Sequence, residues 1–220
     1  MNLASQRKEP LQVKPNQNAS YLFAKRAFDI VASFCGLIVF SPVFLMIAIA
    51  LKLEGPKEKV FFKHKRFGQN GKDLYIYKFR SMVSNANELL TQLTPEQQKE
   101  WENNFKLDDD PRLTRFGKIL RKTSLDELPQ LLNILQGSLS TVGPRPIIAK
   151  ELEKYGDNKA KFLSAKPGLT GYWQAYARSN CPYEQRMEME LYYVDHASFW
   201  WDLKIIFATV SSVLKGRGAK

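Results

Sequence analysis

The chain has 220 residues, 33 of them Lys or Arg against 22 Asp or Glu, giving a formal net charge of +11. That length suits one domain with an appendage, and the charge favours anionic partners: nucleic acid, anionic lipid or phosphorylated metabolites. Cys35 in an apolar run and Cys181 in a distant polar loop make neither a disulfide framework nor a thiolate metal site, and His64 and His196 lack zinc-binding spacing.

Residues 1–20 read as a flexible basic tail: polar, carrying Arg7, Lys8 and Lys14, and without the pattern of a cleavable signal. From Ile30 to Leu51 no residue is charged, and a straight helix of that length would run about 33 Å, the thickness of a bilayer core. Both flanks are basic, with Lys25 and Arg26 before and Lys52, Lys57, Lys59 and Lys63 after, so both prefer the cytoplasmic side. Pro42 removes a backbone donor in mid-run and clashes with the carbonyl of Ile38, while the Ser41 hydroxyl can serve a freed backbone group. These features predict a break at Ser41-Pro42 and favour a helix that enters the membrane and returns, although a kinked spanning helix has the same marks. A buried soluble helix is the plainer alternative.

Val60–Lys63 and Leu74–Phe79 read as strands of a cationic hairpin turning at Gly68 and Asn70-Gly71. Lys63, Lys65 and Lys72 suit a solvated face near lipid headgroups, whereas Lys78 and Arg80, at a strand end, are placed to reach a ligand. Asn85 to Phe105 should be helical but interrupted at Thr94-Pro95-Glu96-Gln97, a capping box with proline at the first helical position. Asp108, Asp109 and Asp110 read as a solvated turn closed by Pro111. A short basic helix over Thr114–Lys122 should pack through Phe116, Ile119 and Leu120.

Asp126 and Glu127 then stand among Arg112, Arg115, Lys118, Arg121 and Lys122 on one side and Gly143-Pro144-Arg145-Pro146 on the other. Pro129 fits only a first turn, so a helix should begin near Asp126, bury Leu128, Leu131, Leu132 and Leu135, and end at Gly137. At a helix start the dipole favours ionised carboxylates, and Ser124 with Glu127 has capping-box spacing. The pair can therefore be a mere cap. It can also divide the work of phosphoryl chemistry, one carboxylate attacking phosphorus and the other holding Mg²⁺, with Arg121 and Arg145 gripping phosphoryl oxygens in bidentate fashion. Lys166 to Trp173 reads as a loop entering a short strand, Glu184–Asp195 as a helix, and Phe199–Leu214 as an amphipathic helix suited to the membrane interface or to a core.

KRAFDI, Ser41-Pro42, YKFRSM, DPRLTRFGKILRKTSLDELPQLLN, VGPRP, KPGLTGYWQ, LYYVD and DLKIIF occur in order between Tyr21 and Lys215. With these motifs the chain resembles the bacterial sugar transferases, the monotopic polyprenol-phosphate phosphoglycosyl transferases, in their small form without an additional N-terminal membrane bundle. The resemblance implies that Asp126 attacks the β-phosphorus of a UDP-sugar, releasing UMP, and that undecaprenyl phosphate then accepts the phosphosugar on the cytoplasmic face of the bacterial inner membrane, in exopolysaccharide or capsule synthesis. It implies Mg²⁺ at Glu127 and Asp126, phosphate binding by Arg121 and Arg145, and a re-entrant helix at Ser41 and Pro42. Lys78, Arg80 and Arg112 join the expected phosphate-binding set. Tyr176 to Tyr183 departs from the VNGRN-like stretch of some relatives, and Arg178 is the donor-binding candidate there.

The expected architecture is α+β and predominantly helical, monotopic, with a small β-hairpin and interfacial amphipathic helices: a tail over 1–20, a re-entrant helix over 21–54 and a catalytic domain over 55–220. Expected partners are a UDP-sugar, undecaprenyl phosphate and membrane lipids, without nucleic acid, and homo-oligomerisation is left open. The competing reading is a non-catalytic, membrane-anchored module that binds anionic lipid or nucleic acid through charge alone.

Overall fold

The computed structural model describes residues 18–105, 107–177 and 181–214. Helices dominate, accompanied by two small sheets, which matches the expected α+β class. The predicted break is present: α1 (Ala19–Val39) and α2 (Ser41–Glu54) meet at Phe40 with a bend of 58°. Pro42 lies in the first turn of α2, and the Ser41 hydroxyl donates to the Ile38 carbonyl at 2.8 Å. Among the described residues no single helix is long and apolar enough to cross a membrane, while α1 and α2 together reach that length and composition. The pair exposes Phe23, Val31, Phe34, Leu45, Met46 and Ile49 on its outer face.

Polar residues of α1 face the other way. Arg26 donates to the carbonyls of Ile134 and Leu135 at 2.7 and 2.8 Å, and buried Asp29 accepts from the Thr141 amide at 2.8 Å. Lys25 pairs with Asp202 at 2.6 Å, and Asp202 also accepts from the Tyr193 hydroxyl. Gly36 lies against Leu131, whose side chain would sit 3.2 Å from an added Cβ.

The hairpin is longer than expected: β1 (Phe61–Phe67) pairs antiparallel with β2 (Asp73–Phe79), and the turn between them holds Asn70 and Gly71 at φ 58° and 73°. Phe79 is fully buried against Phe44 and Phe61, joining hairpin to α2 through a core of Ile47, Leu51 and Leu120. Helices α3 (Ala86–Thr91) and α4 (Pro95–Asn104) are separated by the predicted Thr94–Gln97 capping box. Next come α5 (Arg115–Lys122), capped by Thr114, and α6 (Gln130–Gln136), ended by Gly137 at φ 85°.

The leucine stripe of α6 is corrected by the structure. Its most buried side chains are Gln130, Asn133 and Ile134, while Leu132 is 37% exposed and Leu131 half-buried. Asn133 explains the inversion: its Oδ1 accepts from the Tyr77 amide and its Nδ2 donates to the Tyr75 carbonyl, both at 2.9 Å. The side-chain amide thus completes the hydrogen bonding of β2, and α6 packs on the hairpin through a polar residue. Ile119 of α5, expected to pack, is 56% exposed.

The second sheet was not anticipated: β3 (Ser140–Val142) and β4 (Gly168–Thr170) are parallel. A Cβ on Gly168 would come within 2.0 Å of the Gly143 nitrogen, and one on Gly143 within 2.3 Å of the Lys166 carbonyl. Only glycine permits that approach, and it holds Pro144-Arg145-Pro146 against β4. Helices α7 (Ala149–Glu153), α8 (Lys159–Ser164), α9 (Tyr172–Tyr176), α10 (Tyr183–His196) and α11 (Phe199–Leu214) complete the fold. In α11 Ile205 and Asp202 are buried while Trp200, Phe207 and Val210 are exposed, so the helix keeps an outward apolar face.

Candidate active site

The turn carrying the carboxylates is set by backbone conformation rather than by a cap. Ser124 adopts the left-handed region at φ 59°, and Leu125–Glu127 forms a 3₁₀ turn ahead of α6. The Ser124 side chain caps nothing, so the expected capping box is absent, and α6 begins after Pro129. Non-glycine residues rarely adopt this conformation. Here it reverses the chain sharply after α5 and sends Asp126 inward, where it is 5% exposed.

Docking of α6 on β2 through Asn133 brings Lys78 over this turn. The ammonium lies 2.6 Å from Glu127 Oε1 and 3.6 Å from Asp126 Oδ2. The two carboxylates consequently diverge. Burial and the neighbouring Glu127 charge push Asp126 above the usual carboxylate range, against the pull of Lys78, Arg121 and Arg145. Burial would also raise Glu127, but Lys78, Arg145 and Arg121 bring it down to about 2.

Arg66, Lys78, Glu127, Gln130 and Arg145 line one pocket beside this turn, floored by Ile76 and Leu169. His64 registers the same field. It is pushed down to about 3 by burial and by Arg66, Lys78, Arg145 and Arg121. Arg145 is fixed through its backbone: its amide donates to Glu190 Oε1 at 3.2 Å, and buried Glu190 also accepts from the Tyr155 hydroxyl. Arg121 donates to Ser81 Oγ at 3.2 Å and approaches Asp110 Oδ2 at 4.0 Å.

Two sequence expectations are placed elsewhere, and a third cannot be assigned a place. Arg80 donates to the Leu51 and Lys59 carbonyls, closing the C-terminal end of α2, so it does not reach the pocket. Arg112 is buried, paired with both oxygens of Asp110 at 2.7 Å and stacked over Trp101. Asp110 is thus no part of a solvated turn, and Arg112 acts on the site only through the Asp110 it shares with Arg121. Arg178 lies outside the described residues. Conversely Arg66 and Gln130 line the pocket without having been singled out. Strand parity could not have found Arg66, because the expected strand stopped at Lys63; the observed register places it on the face that carries Lys78.

No group of three or more His, Cys, Asp or Glu side chains among the described residues forms a metal centre. Two adjacent carboxylates nevertheless suit Mg²⁺, which takes one or two protein carboxylates and completes its shell with ligand phosphates and water.

Such a constellation, a buried carboxylate beside one held low in pKa, with arginine and lysine around them, has the chemistry to hold a phosphorylated ligand. The chain belongs to the bacterial sugar transferase family, whose description matches residues 20–216. It is 46% identical over 200 residues to an undecaprenyl-phosphate galactose phosphotransferase of Salmonella typhimurium, covering 90% of this chain and 42% of that protein. An uncharacterized sugar transferase of Haemophilus influenzae is 44% identical over 217 residues, with coverage of 96% and 46%. The exopolysaccharide production protein ExoY of Rhizobium meliloti is 42% identical over 199 residues, with coverage of 89% and 88%. The chain therefore spans less than half of the first two relatives and most of the third.

Proposed function

We propose that this protein transfers a phosphosugar from a UDP-sugar to undecaprenyl phosphate, at the cytoplasmic face of the bacterial inner membrane, as an early step of exopolysaccharide or capsule synthesis. The observation that carries this reading is the unequal pair: Asp126, buried and poised, beside Glu127, ionised under Lys78. Family membership and the names of the Salmonella and Rhizobium relatives support the acceptor and the pathway class.

In this mechanism an Asp126 oxygen attacks the β-phosphorus. The bond to the bridging oxygen breaks, its electron pair leaves with UMP, and an aspartyl phosphosugar remains. A phosphate oxygen of the lipid then attacks the same phosphorus and releases Asp126. Arg121 and Arg145 hold equatorial phosphoryl oxygens, so that an anionic nucleophile can approach an anionic phosphate. Glu127 and Asp126 would hold Mg²⁺, which supplies further charge neutralisation. Lys78, 2.6 Å from Glu127 and 3.6 Å from Asp126, neutralises part of the charge of the pair.

The bent pair α1–α2, with its outward apolar side chains, supports a re-entrant anchor, and the exposed face of α11 supports an interfacial contact. That placement brings the pocket to the depth of a lipid phosphate. The deciding experiment is incubation with candidate UDP-sugars and Mg²⁺, reading UMP release and the intact mass of the protein. Wild type gains one phosphosugar and releases UMP; Asp126→Asn does neither. Full UMP release by the Asn variant would remove Asp126 as nucleophile.

A further inference from the structure

We propose that Arg66 binds the second phosphate of the donor, the one that departs with the nucleotide, so that the pocket holds a diphosphate from both ends. This rests on the transferase reading above and assigns a residue to the leaving group.

The hairpin register pairs Phe62 with Lys78, His64 with Ile76 and Arg66 with Leu74. Residues opposite one another in an antiparallel pair share a face, so Arg66 and Lys78 project from the same side of the sheet. Both line the pocket, as does Ile76 between them. Their levels on the hairpin are four residues apart, which separates their backbones by about 13 Å at the usual strand rise. Two long cationic side chains converging from that distance suit two linked phosphates better than one.

The ends are not equivalent. Lys78 is committed to Glu127 and Asp126, which marks its end as the place where phosphorus is attacked. Arg66 has no nucleophile beside it. Its Nη1 meets Glu151 Oε1 at 3.3 Å and its Nη2 meets His64 Nδ1 at 3.3 Å. Glu151 is shared with Arg186 at 3.2 Å and also accepts from the Tyr183 hydroxyl. Arg186 also approaches Glu190 at 3.6 Å, whereas Arg66 Nε is buried without a hydrogen-bond partner among the described residues, leaving Arg66 a donor to offer an anion. The half-buried His64, a neutral acceptor, fixes the guanidinium without cancelling its charge. When the bond from the β-phosphorus to the bridging oxygen breaks, negative charge accumulates on the phosphate of UMP, and a preorganised guanidinium stabilises it there.

The test is calorimetric binding of UMP to the full chain in lipid nanodiscs. Wild type and Asp126→Asn bind UMP alike, because the nucleophile lies at the other end. Arg66→Lys keeps a cation for Glu151 but loses the planar fork, and weakens UMP roughly tenfold; Arg66→Gln weakens it roughly a hundredfold. The kcat/KM for undecaprenyl phosphate in turnover by Arg66→Lys stays at the wild-type value, because the second half-reaction does not involve the departing phosphate. Equal UMP affinity in wild type and Arg66→Lys, no UMP binding by wild type, or a loss that merely tracks a lower melting temperature would each overturn the assignment. Arg66-dependent UMP binding without UMP release from any UDP-sugar would instead sink the transferase reading alone.

Discussion

Lys78 contacts Glu127 at 2.6 Å and Asp126 at 3.6 Å, and this asymmetry assigns the two carboxylates different chemistry. In the proposed reaction Asp126 must be deprotonated to attack, and its proton affinity is raised by burial. UMP release should therefore fall as pH drops through a value above the ordinary carboxylate range, while Glu127, held at about 2, stays ionised throughout and adds nothing to that limb. Replacing Lys78 by Met removes the cation that lowers both groups. The acid limb should move to higher pH and the plateau rate should fall roughly a hundredfold. A single-turnover pH profile of UMP release measures both, and an unmoved limb would show that Lys78 does not tune Asp126. For Glu127 the folded-state value is depressed, so its contribution to stability is present above the usual glutamate value and is lost as pH falls toward 2.

Among elements, α6 is the one that assembles the site, and it does so through Asn133. Asn133→Ala would strand the Tyr77 amide and the Tyr75 carbonyl, at a cost of roughly 1–3 kcal/mol for each buried group left unpaired. Thermal unfolding should show a clear loss for Ala and no smaller one for Asp, which keeps the acceptor for Tyr77 but turns a buried carboxylate oxygen on the Tyr75 carbonyl; equal melting temperatures of wild type and Ala would mean that the leucines alone dock α6. Sequence periodicity could not reveal this, since it scores Leu128, Leu131, Leu132 and Leu135 as the buried stripe and Asn133 as a surface residue. The break at Ser41-Pro42, the capping box at Thr94 and the stop at Gly137 were legible because each depends on local chemistry. The parallel pair β3–β4, the inward turn at Ser124 and the diversion of Arg80 to helix carbonyls depend on partners distant in sequence. The same limit hid Arg66 until the hairpin register was known. The proposed re-entrant placement of α1–α2 carries its own prediction: single cysteines at Ser20 and Glu58, in a chain without Cys35 and Cys181, should both resist labelling by an impermeant reagent outside intact cells. Labelling at one end only would establish a spanning helix.

At the scale of the whole molecule, two apolar surfaces project outward, one from α1–α2 and one from Trp200, Phe207 and Val210 of α11. With a net charge of +11, adsorption to anionic bilayers should combine apolar burial with electrostatic attraction. Trp200→Ser with Phe207→Ser removes roughly 1.5–3 kcal/mol of burial per side chain, so binding to vesicles of mixed anionic lipid should weaken and become more salt-sensitive while extraction still requires detergent. Unchanged vesicle binding would place α11 away from the membrane.

The inward face of α1 has a practical consequence for anyone wishing to handle this protein in water. Arg26 terminates α6 through two of its carbonyls and Asp29 satisfies the Thr141 amide within β3, so α1 is also a structural plug in the rest of the fold. Cutting the chain at residue 55 would leave these backbone groups dry and unpaired, and the product should aggregate rather than dissolve. Solubilisation is a problem of repainting, not of amputation: changing outward residues such as Phe23, Val31, Leu45 and Ile49 to polar ones leaves every buried contact of α1 in place.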